Sequence, residues 1–455
     1  MNTMRIFAIR FAALICFLLF NTQLVQSQTA ITPATALEHY LNRVDSTYRW
    51  ELKDTYLIDD VTVYSILLTS QKWREHIWTH QLSIVVPKET KYDGALLFIT
   101  GGSVNKEGQP NWSGRNDELT KSFCVIAKQN KAVIAVLKQV PNQPLYGNLT
   151  EDALISYTLH QYKNDGDYTW PLLFPMVKSA KLAMDAVQEF SKEKLNHNIS
   201  RFVVSGASKR GWTTWLTGAN DQRVTAIAPM VIDMLNMPVS IDYQVKVWND
   251  YSIQIQDYVK LGIVQDINSK KGSDLVTMID PYAYRKKLSI PKMIFMGTND
   301  EYWPIDNIKN YYDSIPGQNM IHYIPNAGHS MGDKKEAMLN LSAFFGLTMS
   351  NTAYPVCNWK MSESKKGLGL EIQATKANLV DVIIWSANSP DKDFRNDKWV
   401  SKSLGIKHKG RVKLTEEFPA SGYHAFYVNL KYQYDNGAAY TESTRVFMTD
   451  DKKVL

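Results

Sequence analysis

The spacing of apolar positions changes character three times along the chain. An amphipathic stretch at 35–45 puts Leu37, Tyr40, Leu41 and Val44 on one stripe, the spacing of a helix. Two β-like runs follow at 61–69 and 77–86, the second stopped by Pro87. Short, nearly continuous apolar runs then alternate with longer helical stretches. These runs lie at 95–100, 132–137, 202–205, 224–230, 292–296 and 320–324. Strands buried on both faces read this way, so the pattern predicts βαβ units and a mostly parallel sheet. Between the second and third runs, Val177, Ala180, Ala183, Met184, Val187 and Phe190 mark the core stripe of a covering helix.

The stretch 233–289, rich in Tyr, Met and amides, leaves the carboxyl end of the fourth run. Ligands of open α/β sheets bind at that edge, so a cap-like insertion is expected there. Beyond about 350 the period shortens. Residues 368–375, 380–386, 411–414, 423–434 and 438–449 read as strands, and Asp435-Asn436-Gly437 as a hairpin turn. The organisation expected is an α/β domain over 28–350 and a small antiparallel, sandwich-like β-rich module over 351–455.

The first 27 residues read differently. Arg5 and Arg10 precede an apolar run at 11–20, and a polar stretch with small residues follows at 21–27. That is the layout of a cleavable leader, and the run is short for a membrane span, although an anchor is the rival reading. Export to a periplasmic or extracellular compartment is the expectation, with no membrane span after leader removal. Loss of the two arginines lowers the formal charge of +6 by two. That balance, without a basic run interleaved with aromatics, excludes a nucleic-acid partner. Cys124 and Cys357 could pair or remain as two buried thiols. No Cys or His cluster has metal-ligand spacing, and neither a metal nor a cofactor is expected.

The chemistry is concentrated just past three of the apolar runs. FVVSGASKRGW at 202–212 takes a strand through Gly206-Ala207-Ser208 into a helical segment. A serine nucleophile on an α/β-hydrolase fold sits on such a turn, where small neighbours let strand and helix approach. The glycine usual two places after the serine is Arg210 here, with Gly211 next. GTNDE at 297–301 brings Asp300 to a strand end, and PNAGHS at 325–330 brings His329 to another. The order Ser, Asp, His is that of α/β-hydrolases among triad folds. Ser208 is thus the expected nucleophile, His329 the base and Asp300 the residue orienting it.

Oxyanion donors are expected from the amide of Lys209 and from the loop Gly101-Gly102-Ser103, at Gly102 or Ser103. Asp233 is a rival acid at another strand end. Asp306 falls in a helical stretch, and His322 lies within a strand pattern and reads as structural. Glu151 and Asp152, near the same rim, either hold a substrate amine or serve a helix start.

PNQPL at 141–145, EDALI at 151–155, SGASKRGWTTW at 205–215, GTNDEYW at 297–303 and PNAGH at 325–329 make the chain resemble the PhoPQ-activated pathogenicity-related family. The resemblance spans most of the chain. It implies an exported α/β-hydrolase-like fold with a β-rich tail, and in it Arg210 is usual. The family also resembles secreted proliferation repressors of eukaryotes. Two functions of different class follow. One is an exported serine hydrolase, esterase or peptidase, acting on a small-molecule or peptide substrate. The other is a secreted signalling or binding protein that keeps the scaffold without turnover. The chain's oligomeric state is left open.

Overall fold

The computed structural model describes residues 30–406, 410–434 and 437–455. The leader at 1–27 and Asp435-Asn436 of the expected hairpin turn lie outside them. Strands β1 (Arg49–Ile58), β2 (Val61–Trp73) and β3 (His76–Val86) form an antiparallel meander. Strands β4 (Gly94–Ile99), β5 (Val133–Leu137), β6 (Arg201–Ala207), β7 (Val224–Met230), β8 (Lys292–Gly297) and β9 (Asn319–Ile324) follow. They run parallel to one another in the order β5-β4-β6-β7-β8-β9, and β3 joins antiparallel beside β5. All six expected strands of this set are present. This is the α/β-hydrolase fold, a mixed α/β architecture around a large, mainly parallel central sheet.

Alternation within these strands explains their continuous apolarity. Ala95, Leu97 and Ile99 of β4 face one core, and Leu96 and Phe98 face the other. Helices α1 (Pro33–Leu41), α2 (Glu118–Asn130), α3 (Glu151–Asp165), α4 (Leu173–Leu195) and α5 (Lys209–Asn220) precede β7. The first core takes apolar side chains from α1, α3, α4 and α5, including the whole predicted stripe from Val177 to Phe190. Helix α1 starts earlier than its pattern suggested, because Thr32 and Thr35 form a capping box and Pro33 occupies the first turn. It also stops earlier, leaving Val44 at 99 % exposure instead of on the core stripe.

Between β7 and β8 run α6 (Met237–Trp248), α7 (Gln256–Lys260) and α8 (Lys270–Ile279), which occupy the stretch read as a cap. Helix α9 (Lys335–Met349) joins α2 over the second face. The strands beyond it are β10 (Cys357–Glu363), β11 (Gly367–Ala374), β12 (Leu379–Ser389), β13 (Val400–Ser403), β14 (Arg411–Glu417), β15 (Tyr423–Gln433), β16 (Ala439–Ser443) and β17 (Phe447–Thr449). The β-rich tail is less separate than its sequence suggested. Strands β12, β13, β15, β16 and β17 extend the central sheet, joined where Ser443 of β16 meets Ile321 of β9. Asn340 of α9 reinforces the join by exchanging two hydrogen bonds with the backbone of Thr441. The sandwich comes from the separate sheet β10-β11-β14, whose Leu368, Leu370, Ile372 and Val412 share a core with Val382, Ile384 and Val428.

Strands β1, β10 and β13 escaped the sequence reading because most of their side chains are exposed, which removes the apolar alternation. The run read as one strand at 438–449 divides into β16 and β17. Cys124 and Cys357 are buried free thiols, not a disulfide.

Candidate active site

Strand β6 ends at Ala207 and α5 begins at Lys209, so Ser208 alone makes the turn, with φ 59° and ψ −125°. A non-glycine residue there is strained, and the surroundings hold it: its amide donates to Met230 and its carbonyl accepts from Trp212. The two neighbouring glycines have no room for a side chain. A Cβ on Gly206 would lie 2.8 Å from the Ile99 carbonyl, and one on Gly211 2.7 Å from that of Met230.

His329 is held by three consecutive residues acting on three different parts of it. Asp300 lies 3.0 and 3.1 Å from Nδ1 through its two carboxylate oxygens. The Glu301 carboxylate accepts the backbone N–H of His329 at 2.8 Å. Tyr302 stacks on the imidazole with ring centres 4.0 Å apart. The opposite ring nitrogen, Nε2, lies 2.8 Å from Ser208 Oγ. With Nδ1–H donating to Asp300, Nε2 is the acceptor for the serine hydroxyl. The structure therefore brings Ser208, His329 and Asp300 into one hydrogen-bonded line.

Asp233 takes another place. It accepts from the Tyr311 hydroxyl at 2.6 Å and makes no hydrogen bond to His329. Complete burial, with Asp300 adding to it, pushes its carboxyl up to about 8. Asp306 is paired with Lys309 and Tyr243, at the start of a short 3-10 turn. His322 is sealed in the core of β9, where burial lowers its pKa to about 3.

The amides of Lys209, Gly102 and Ser103 make no hydrogen bond to other described residues. Lys209 opens α5, where first-turn amides have no partner inside the helix. Gly102 and Ser103 follow β4, which pairs with β6 up to Ile99 and Gly206. Gly102 has φ 138°, a conformation that favours glycine. The Ser103 hydroxyl accepts from Asn111 at 2.7 Å.

Arg210 sends its guanidinium back beneath the turn. It is 8 % exposed and makes two hydrogen bonds to the Glu151 carboxylate at 2.6 and 2.7 Å, and a third to the Val140 carbonyl. Gln143 binds the same carboxylate at 2.6 Å and accepts the Glu151 amide at 2.9 Å. Burial alone would raise the Glu151 carboxyl, but Arg210, Gln143 and Lys209 hold it below its ordinary range. Both Glu151 oxygens are thus engaged by protein, and the residue ties the 140–151 segment to the Ser208 turn. Asp152 is also paired, with Lys209 Nζ at 2.5 Å and with the hydroxyls of Tyr258 at 2.9 Å and Tyr302 at 3.4 Å. Neither acid offers an unpaired oxygen to a substrate amine.

The loops that carry Asp300 and His329 are braced from the tail. Asn299 donates to the carbonyls of Phe394, Arg395 and Asp397, the shortest at 2.8 Å. Asn326 exchanges hydrogen bonds of 2.8 and 3.0 Å with the backbone of Trp399. Sequence reading missed Arg210–Glu151, Glu301, Tyr302 and these braces. A signal existed only for the first, since a charged residue where backbone crowding demands glycine implies a buried counter-ion.

Ser208 and His329 open into a cavity of about 60 Å³ walled by Trp212, Ile241, Ile255, Ile263, Val264, Trp303 and other apolar side chains of α5 and the 233–289 stretch. Among the described residues no group of His, Cys, Asp and Glu is arranged to hold a metal ion. No helix among them is long and apolar enough to cross a membrane.

Sheet order and the strained turn at Ser208 between β6 and α5 are those of an α/β-hydrolase scaffold. The chain belongs to the PhoPQ-activated pathogenicity-related protein family, whose model matches residues 37–395. It is also similar to the autocrine proliferation repressor protein A of Dictyostelium discoideum, at 29 % identity over 94 % of this chain and 92 % of that protein. Among solved structures it is similar to acetyl xylan esterase 1 from Thermoanaerobacterium sp. JW/SL YS485, with TM-score 0.49 and 16 % identity over 70 % of this chain and 93 % of that one. A glucuronoyl esterase from Solibacter usitatus matches with TM-score 0.43 and 11 % identity over 69 % of this chain and 92 % of that one.

Proposed function

We propose that the protein is an exported serine hydrolase that cleaves an ester or amide through Ser208, His329 and Asp300. The observation that carries this reading is the continuous line from Ser208 Oγ to His329 Nε2 at 2.8 Å and from Nδ1 to Asp300 at 3.0 Å. His329 takes the serine proton as Oγ attacks the carbonyl carbon, and Asp300 stabilises the imidazolium that forms. The negative charge on the substrate oxygen is met by the free amides of Lys209 and of Gly102 or Ser103. Imidazolium then returns the proton to the leaving alcohol or amine, and water repeats the cycle on the acyl-serine. Export rests on the leader pattern of the first 27 residues.

A second reading is favoured by the name of the Dictyostelium relative. In it the scaffold serves as a secreted regulatory protein without turnover. A fluorophosphonate probe separates the two. The hydrolase reading expects labelling of the folded protein and its loss in Ser208→Ala. A folded wild type that stays unlabelled favours the regulatory reading.

A further inference from the structure

Resting on the serine-hydrolase reading, we infer that the cavity beside Ser208 is an acyl pocket for aliphatic acids of about four to six carbons. Its walls come mainly from α5 and the 233–289 stretch, with Leu159 of α3 and Trp303 closing them, and the surface that meets the space is almost all apolar. The polar groups in the wall are occupied with one another. Lys209, Tyr258 and Tyr302 converge on Asp152, and Trp212 Nε1 donates to the Ile279 carbonyl. The buried wall donor without a protein partner is Trp303 Nε1. A sugar ring would bury several hydroxyls here against one free donor, each at a desolvation cost, whereas an alkyl chain has nothing to leave unpaired.

Size sets the chain length. A water-sized group needs about 10–15 Å³ of such space, so the cavity of about 60 Å³ takes roughly five. Ser208 and His329 sit at the cavity's own wall, so a group filling it lies directly beside the reacting carbonyl, and the acyl chain is assigned to it. The leaving alcohol or amine then lies on the open side.

The test uses the full chain with p-nitrophenyl esters from acetate to dodecanoate, the anilides of the same acids, and acetylated xylan. Burying one methylene favours binding by about 0.8 kcal/mol, or about fourfold. kcat/KM is therefore expected to climb about fourfold per carbon, reach its maximum between butanoate and hexanoate, and fall by octanoate. Ile241→Trp, which fills the cavity, should lower the hexanoate-to-acetate ratio at least tenfold. Ile263→Ala, which enlarges it, should move the optimum to longer chains, so one misfolded variant leaves the other informative. The anilide arm tells amide from ester cleavage of the same acyl group. A flat chain-length profile, a preference for acetate or acetylated xylan, or an unmoved optimum in both folded variants overturns the acyl pocket while leaving the hydrolase standing. Absence of both turnover and fluorophosphonate labelling in folded protein overturns the hydrolase, and the pocket with it.

Discussion

Replacing Glu151 by Ala strands the Arg210 guanidinium beneath the nucleophile turn. The Arg210 side chain is 9 % exposed, so water cannot replace the two lost bonds, whereas Glu151 is 38 % exposed and can be rehydrated in part. Charge-assisted hydrogen bonds contribute about 1.5–3 kcal/mol each. Removing one partner of a buried pair typically costs about 3–5 kcal/mol. The partial exposure of Glu151 puts Glu151→Ala near the lower limit, about 3 kcal/mol. Arg210→Met should cost less, about 1–2 kcal/mol, because the carboxylate left behind can turn to solvent. The double variant Glu151→Ala/Arg210→Met removes both charges and should be more stable than the sum of the single effects predicts, with a coupling of about 1–2 kcal/mol. Urea denaturation of the four proteins gives these differences from midpoints and slopes. Additive effects, or a loss below about 0.5 kcal/mol for Glu151→Ala, would refute the idea that this pair locks the turn.

Three further outcomes are expected. Asp300→Asn should lower kcat by about 10⁴-fold because the imidazole loses its proper tautomer, while Asp233→Asn should stay within about threefold; equal losses would return Asp233 to contention. Asn299→Ala removes bonds to three carbonyls of the 394–397 segment and should cost about 1–3 kcal/mol in denaturation, with kcat reduced more than KM. His322 has its folded pKa lowered from 6.5 to about 3, so its contribution to stability is complete above pH 6.5 and is lost as pH falls toward 3. His322→Leu should therefore show a shallower fall in melting temperature between pH 6.5 and 4 than the wild type, and parallel curves would exclude this origin.

Ser208, Asp300 and His329 were legible as a candidate triad because each stands where a buried strand stops, and a strand stop is a local event. Continuous apolarity marks β6, β8 and β9, and Gly206-Ala207-Ser208, Asp300 and His329 come within a few residues of their ends. The parallel sheet was legible for the same reason: both faces of its strands are covered, so no alternation is needed to recognise them. Strand β1, exposed along most of its length, carried no such mark.

What lies between distant segments could be settled only by folding. Arg210 finds its partner 59 residues upstream, and nothing in the local spacing of either residue names the other. Asp233 and Asp300 both follow strands, but only the packing of Tyr311 against the first and His329 against the second separates their chemistry. The tail strands read as a unit of their own because a strand's period is blind to which sheet it joins, and only the meeting of Ser443 with Ile321 made them part of the central one. The chain alone marked Ser208, Asp300 and His329 as the candidates for the proposed chemistry, through strand ends and turn residues. The tertiary structure decided which of them meet, what braces them and how apolar the space beside Ser208 is, because those depend on contacts between segments far apart in sequence.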